Sequence, residues 1–489
     1  MLEEVVAKVN SLIWSAPLIA FCVLIGVYFS IRSKFLQIRH IKEMFRLLFT
    51  GKSSDEGVSS FQALAMALSG RIGVGNISGT ATAIAFGGPG AVFWMWVITF
   101  VGAASAFVES TLAQIYKEKV NGQYRGGPAY YIDKGIGWKW YAVLFAIATL
   151  IAMTILMPGV QSNSISVSMN NAFDINKAGM GIFVVVILGF IIFGGVKRIA
   201  TFAQYVVPFM ALAYVGIAIY IIALNFTEIP DVFMLIFTSA VGADSLFGGI
   251  LGSAIAWGVK RGIYANEAGQ GLGAHAAAAA EVSHPAKQGL VQAFSIYLDV
   301  FLVCTATAFM VLFTGSYNTI NENTGEYLVQ NLHGVEEGPG YTQIAVESIL
   351  PGFGYEIVAI ALFFFAFTTI MSYYYIAETN LAYLLKGRHS KGASFILKLV
   401  LLGATFYGAV KDAALAWVLG DIGVGIMVWL NLIAIAILAK PAFIALKDYE
   451  QQKKKGLDPV FNSTKLGIKN ADFWANGYET IEKKTDKVS

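Results

Sequence analysis

Apolar runs long enough to cross a bilayer recur almost evenly from residue 12 to residue 440 of this 489-residue chain. At about 20 residues per crossing, they fall near 12 to 31, 60 to 88, 90 to 116, 141 to 168, 179 to 196, 201 to 224, 245 to 272, 290 to 314, 354 to 385, 394 to 410 and 420 to 439. No polar domain separates them. Charged residues make up 13% of the chain, about half the roughly 25% of soluble domains, and hydrophobic residues 56%. A soluble core of that composition would lack the polar surface to cover it. The expectation is an all-α polytopic membrane protein with eleven transmembrane helices over 1–440, followed by a cytoplasmic tail, 441–489.

The first run, 12–31, follows Glu3 and Glu4 and has no clear small-residue cleavage site, so it reads as a retained span rather than a signal peptide. Cys22 and Cys304 both fall inside apolar runs and offer neither a disulfide framework nor a metal cluster. Orientation follows from Lys and Arg in the connections. One set holds Arg32, Lys34, Arg39, Lys42, Arg46 and Lys52, then Lys117 to Lys139, then Lys197 and Arg198, then Lys386, Arg388 and Lys391. The alternate connections 225–244 and 316–352 hold no Lys or Arg. The positive-inside bias then places the N-terminus outside and the C-terminus in the cytoplasm of a plasma-membrane protein. The tail, with Lys453, Lys454, Lys455, Lys483, Lys484 and Lys487, reads as a solvated end drawn to anionic lipid.

Irregular backbone within a membrane is tolerated only where protein or a water-filled cavity satisfies the freed amides and carbonyls. Interrupted spans therefore mark sites. The second span contains Ser69-Gly70-Arg71-Ile72-Gly73-Val74-Gly75-Asn76-Ile77-Ser78-Gly79, and the seventh contains Ala256-Trp257-Gly258-Val259-Lys260-Arg261 running on to Asn266-Glu267-Ala268-Gly269. Arg71, Asn76 and Gly79 have the mutual spacing of Arg261, Asn266 and Gly269. With the first span set aside, the two interruptions open two sets of five spans, 60–224 and 245–439. Five is odd, so the second set is inserted upside down, which is the inverted-repeat plan of secondary transporters with a site at the midplane. Glycine pairs such as Gly258 and Gly262 also suit simple helix packing, but packing does not account for Arg71, Lys260 and Arg261. Gly73-Val74-Gly75 lacks the third glycine and the preceding strand of a dinucleotide fingerprint, and no Walker A sequence, nucleophile elbow or zinc-protease helix is present.

Gly87-Gly88-Pro89-Gly90-Ala91-Val92-Phe93-Trp94-Met95-Trp96-Val97-Ile98-Thr99-Phe100-Val101-Gly102 resembles the signature of the alanine or glycine:cation symporter family. Ser69 to Gly79, Gln123-Tyr124-Arg125-Gly126-Gly127-Pro128-Ala129-Tyr130-Tyr131 and Asn266-Glu267-Ala268-Gly269-Gln270-Gly271 look like the same family, so the resemblance covers essentially 12–440. It implies sodium-coupled uptake of small neutral amino acids, alanine or glycine, by a leucine-transporter-type fold with one extra N-terminal helix. Sodium would be the coupling ion, with no organic cofactor, no nucleic acid and no obligatory protein partner.

A small zwitterion needs two opposite charges satisfied in very little volume. The amides of Val74, Gly75 and Asn76 open a half-helix whose N-terminus suits a carboxylate, and the Asn76 side chain either adds a contact or caps that half-helix. Freed carbonyls near Ala256, Trp257 and Gly258 would accept the ammonium. Gln161 and Asn163, just past Pro158, either face the substrate or form a wetted helix end. By the resemblance, sodium maps to carbonyls near Gly70 and Gly73 and to the hydroxyls of Thr368 and Thr369 in Phe365-Ala366-Phe367-Thr368-Thr369-Ile370-Met371-Ser372. Mid-membrane threonines also bond commonly to their own backbone. Arg71 either joins an inner gate by pairing with Glu109, Glu267, Asp299 or Glu378, or snorkels to the interface. Trp257 is either an aromatic gate or interhelical packing.

Three other functions compete. A proton-coupled transporter of small amino acids would titrate Glu109 or Asp299 in place of sodium. A channel would need a filter-like loop, and none repeats. A membrane-embedded enzyme would draw on His275, His284 and Glu281, which lie in a cytoplasmic connection and read as solvated.

Overall fold

Ser59 starts the first interrupted helix through a capping box: its hydroxyl accepts the Gln62 amide at 3.2 Å, and the Gln62 side chain accepts the Ser59 amide at 3.0 Å. The computed structural model to which it belongs describes residues 2–50, 54, 56–244, 246–322, 324–388 and 391–476. Lys52, Lys483, Lys484 and Lys487 lie outside the described residues.

Among the described residues, eight helices are long and apolar enough to cross a membrane: Glu4–Arg32, Gly90–Ile115, Lys139–Phe173, Lys197–Leu224, Pro285–Phe313, Gly354–Leu384, Lys391–Val410 and Ala413–Lys454. Lys177–Ile192 is a shorter apolar helix, capped by the Asn176 side chain on the Ala178 amide at 2.8 Å. Two further apolar segments are interrupted. Ser60–Arg71 is followed by a wide turn, Gly75–Gly79, and the helix Thr80–Gly87. Leu251–Asn266 is followed, after residues 267–271, by Leu272–Ala279.

These two broken segments pack side by side at the centre, against Gly90–Ile115 and Pro285–Tyr297, and Gly354–Leu384 closes the core beside the first break. A Cβ on Gly258 would lie 2.5 Å from the Ala91 carbonyl oxygen and from the Trp94 Cβ, so only glycine permits this approach of two helix backbones. The outer helices present Phe190, Tyr205, Phe209 and Leu212 outward, each at least 70% exposed. Apolar side chains so placed are stable against lipid and not against water.

Three features depart from expectation. The first span is two helices, Leu2–Ile13 and Ala16–Arg32, that part at Trp14 and Ser15. The connections carry two antiparallel hairpins, Glu118–Val120 with Gln123–Arg125 and Asn318–Ile320 with Tyr327–Gln330. The last helix runs 42 residues, roughly 60 Å and twice the hydrocarbon thickness of a bilayer, and the chain beyond it folds back instead of ending in solvent. Phe461 donates its amide to the Ser283 carbonyl at 2.9 Å. Trp474, buried, donates its ring N–H to the Gln114 carbonyl at 2.7 Å. The expectation of a solvated tail is thus corrected for 455–476: aromatic side chains and two backbone-directed bonds outweigh its lysines.

Candidate functional site

The first break follows from two side-chain amides that replace backbone acceptors. In an unbroken helix the Gly73 amide would bond to the Ser69 carbonyl and the Val74 amide to that of Gly70. Instead the Asn76 Oδ1 accepts Gly73 N–H at 2.9 Å, and the Gln161 Oε1 accepts Val74 N–H at 3.1 Å. Ser69 and Gly70 are left with free carbonyls, and the Thr369 hydroxyl lies 2.9 Å from the first, 3.4 Å from the second and 3.5 Å from the Ile72 carbonyl. A Cβ on Gly73 would stand 2.5 Å from Thr369 Oγ1, so any larger residue would displace that hydroxyl.

Thr369, Gly70, Gly73, Val74, Asn76 and Gln161 therefore converge. Thr368 does not: both threonine hydroxyls lie near the Phe365 carbonyl one turn back on their own helix, at 3.0 Å for Thr368 and 2.9 Å for Thr369, but Thr369 alone of the two also faces the break. Gly75 faces the Tyr264 ring and the Ala265 backbone, 3.0 and 3.3 Å from its ideal Cβ. Asn163, two residues beyond Gln161 and so on another face of the helix, donates instead to the Gly408 and Lys411 carbonyls at 3.2 and 2.6 Å. Ser69, Ile72 and Ser372, which lie in the segments that mark the site in the sequence but have no individual role assigned there, join the converging set. The Ser372 hydroxyl is 2.9 Å from the ideal Gly70 Cβ, one turn past Thr369.

The second break is displaced from where it was expected. Ala256, Trp257 and Gly258 lie inside the continuous helix Leu251–Asn266, so their carbonyls are not freed by unwinding. The chain unwinds at residues 267–271, where Glu267, Gly269 and Gly271 have φ of 58°, 82° and 82°. The Asn266 side chain takes the Ala268 amide at 2.8 Å, the bond the Tyr264 carbonyl would receive in a helix. Glu109 Oε2 accepts the Gly271 amide at 3.1 Å and the Asn431 side chain at 2.9 Å, and Asn431 also donates to the Gly269 carbonyl at 2.9 Å. Asn431, which had not been singled out, stitches the break to the last helix.

Arg71 does not snorkel. Its side chain is fully buried, with Nε 3.8 Å from Glu267 Oε2 and Nη1 bonded to the Gln292 side-chain oxygen Oε1 at 3.2 Å and to the Ser295 hydroxyl. Glu378 pairs instead with Arg125 at 3.6 Å. Asp299, also buried, accepts from the Asn76 side chain at 2.6 Å. His275 and His284 are buried as well, not solvated, and among the described residues no three His, Cys, Asp or Glu side chains converge to hold a metal. Trp257 faces a cavity on the side of the 316–352 connection, donating to Glu322 Oε2 at 2.5 Å and stacking on Phe86 at 4.8 Å.

Two broken helices placed together, with freed carbonyls, amides and buried ion pairs at their interruptions, define a membrane transporter of the leucine-transporter type. The backbone resembles a manganese transporter from Eremococcus coleocola with a TM-score of 0.52 at 12% identity, over 83% of this chain and 89% of that one. Residues 1–463 match the sodium:alanine symporter family, and the chain belongs to that family. It is 64% identical to a sodium/proton-dependent alanine carrier protein of Bacillus sp. strain PS3, over 91% of this chain and all of that protein. It is 66% identical to YrbD of Bacillus subtilis, described as a carrier of the same kind, over 98% of each.

Proposed function

We propose that this protein couples sodium influx to the uptake of alanine or glycine by alternating access across the plasma membrane. Eleven crossings, arranged as one extra helix and a five-plus-five inverted repeat with the N-terminus outside and the C-terminus in the cytoplasm, make up the transport domain of residues 1–440. The observation that carries the reading is the Thr369 hydroxyl set among the freed carbonyls of Ser69, Gly70 and Ile72. Uncharged oxygens in that number suit a hard monovalent cation.

The substrate carboxylate takes the Val74 amide in exchange for Gln161, and the ammonium turns to the carbonyls of Tyr264 and Ala265, left behind by the second break. Arg71 with Glu267 forms the inner gate. One sodium ion moving down about 100 mV supplies about 2.3 kcal/mol, and a tenfold concentration gradient about 1.4 more. That sustains an alanine gradient of several hundredfold without ATP.

The test is uptake of radiolabelled alanine into proteoliposomes under an inward sodium or potassium gradient, with Thr369→Ala alongside. Accumulation that requires sodium and fails in the variant is the expected result; sodium-independent accumulation overturns it. A second reading adds a proton. Glu109, Glu267 and Asp299 are three buried carboxylates around one buried Arg71, and Glu109 Oε1 and Asp299 Oδ2 have no hydrogen-bond partner among the described residues. Both relatives are described as sodium/proton-dependent. Alanine uptake driven by a pH gradient in sodium-free buffer would favour it.

A further inference from the structure

On the face that carries the basic connections, the ends of the two broken helices are tied to each other. Val58, just before the first half-helix Ser60–Arg71, donates its amide to the Ala279 carbonyl at 3.0 Å and accepts the Glu281 amide at 2.8 Å. This parallel bridge joins it to the end of the second half-helix, Leu272–Ala279. A path from the central site to this face between the two half-helices stays shut while the bridge holds. Gln114 and Lys117, at the end of the neighbouring helix, reinforce the junction by donating to the Ala280 carbonyl at 3.0 and 2.9 Å.

The chain beyond the last helix closes over this junction and is fastened on both sides of it. On one side the Ser283 hydroxyl donates to the Pro459 carbonyl at 2.8 Å and Lys287 Nζ meets Asp458 Oδ1 at 2.7 Å, next to the bond from the Phe461 amide to the Ser283 carbonyl. On the other, Lys134 Nζ meets Asp472 Oδ2 at 3.2 Å, the Asn470 side chain donates to the Lys134 carbonyl at 2.8 Å, and the Trp474 ring N–H bonds to the Gln114 carbonyl. Between the two anchorages Phe461 and Trp474 meet edge to face, 5.2 Å apart. The rings of Tyr124, Phe473 and Trp474 also enclose Lys117 Nζ at 4.4, 4.6 and 5.3 Å. The lysine that fastens Ala280 is thus itself held in place by the tail.

We infer that residues 455–476 are a latch over the inner gate: docked, they hold the 281–287 connection against the 114–134 connection, keep the Val58 bridge closed and slow the step that opens the central site to the cytoplasm. Undocked, they release it. The latch rests on the alternating-access reading and its orientation, and it acts on a conformational step rather than on the alanine or sodium contacts. Its effect therefore falls on kcat.

Two full-length variants test it from opposite directions. Phe473→Ala with Trp474→Ala loosens the tail; Lys134→Cys with Asp472→Cys, joined by a short bis-maleimide, pins it. Opening of the junction is read as labelling of Val58→Cys by a water-soluble maleimide, with and without the loosened tail, against a parent whose Cys22 and Cys304 are buried. Loosening is expected to speed that labelling by about tenfold, from the loss of a hydrogen bond and two ring contacts to Lys117. It should also raise kcat for sodium-driven alanine uptake in proteoliposomes by several fold, and the cross-link should lower kcat below that of the same protein left unjoined. Equal labelling with the loosened tail, a fall in its kcat, or full-rate uptake by the cross-linked protein overturns the latch. If the loosened variant does not fold, the cross-linked one, which keeps every tail aromatic, decides alone. Absence of sodium-driven uptake in the wild type overturns the transport reading instead, while the labelling still decides whether the tail holds the junction.

Discussion

The Thr369 hydroxyl stands 2.9 Å from the carbonyl oxygen of Ser69, which the helix break has deprived of its amide partner, and 2.9 Å from the Phe365 carbonyl of its own helix, while Thr368 beside it meets that same Phe365 carbonyl at 3.0 Å and does not reach the break. Two adjacent threonines thus have separate expected roles. Thr369→Ala removes an oxygen from the carbonyl cluster and should raise the sodium concentration for half-maximal uptake by roughly tenfold, about 1.5 kcal/mol. Thr369→Ser should restore it, and Thr368→Ala should leave it nearly unchanged. Sodium titration of alanine uptake in proteoliposomes checks all three.

Gln161 holds the Val74 amide through Oε1 and reaches Tyr373 Oη through Nε2 at 3.2 Å. If a substrate carboxylate exchanges with that oxygen, Gln161→Glu installs a permanent competitor of the same charge. The expected outcome is a KM for alanine raised at least tenfold, since charge-assisted bonds contribute about 1.5 to 3 kcal/mol. Gln161→Leu should instead free the amide but also loosen the break, lowering kcat. Initial rates of uptake across a range of alanine concentrations separate the two variants.

What could be read from the chain was what local chemistry dictates. The glycines and polar residues of 69–79 marked the first break because nothing else explains them in an apolar run, and the break lies there. The same logic misled at 256–258. Gly258 answers to the Ala91 backbone of a neighbouring helix, and Lys260 and Arg261 answer to Asp421, some 160 residues on. A glycine needed for a close approach and a cation neutralised from afar look, in sequence, like an interruption. Gln161 and Asn163 are near neighbours in the sequence, which carries no rotational phase for their helix; a helix turns about 100° per residue, so only Gln161 meets Val74. The docking of Phe461 and Trp474 left no periodic signal, since an extended tail contributes single anchors rather than a face.

Arg71 and Glu267 link the ends of the two broken helices in a fully buried pair. Removal of one partner of such a pair strands the other in low dielectric and costs about 3 to 5 kcal/mol, whereas removal of both can be nearly neutral. Arg71→Gln should therefore lower thermal stability strongly, and adding Glu267→Gln should recover only part of the loss, because Glu109 and Asp299 stay buried beside the vacated position. Uptake should be lost in both, because a gate needs a pair that can open and re-form. Thermal unfolding of the purified variants, set beside their uptake, tests stability and gating separately; wild-type transport by the double variant would end the gate assignment.

His284 gives the fold a pH dependence of definite sign. Its ring is buried between two elements outside the membrane: Nδ1 accepts the Ala286 amide at 3.1 Å to cap the next helix, and Nε2 faces Asp448 Oδ2 at 3.3 Å. An imidazole that accepts at one nitrogen and donates at the other is neutral. Burial pushes the His284 pKa below the usual histidine value, against the pull of Asp448. The unfolded chain then takes up a proton before the folded one does. Stability from this group is complete above about pH 6.5 and declines as pH falls from there toward the lower folded value. The tail is where the loss should show, because the His284 ring packs edge-on against Phe461 at 5.2 Å. Limited proteolysis of residues 455–476 should accelerate between pH 7.5 and pH 5.5 in the wild type, and His284→Gln should flatten that dependence. An unchanged pH profile in the variant would assign the sensitivity to another group.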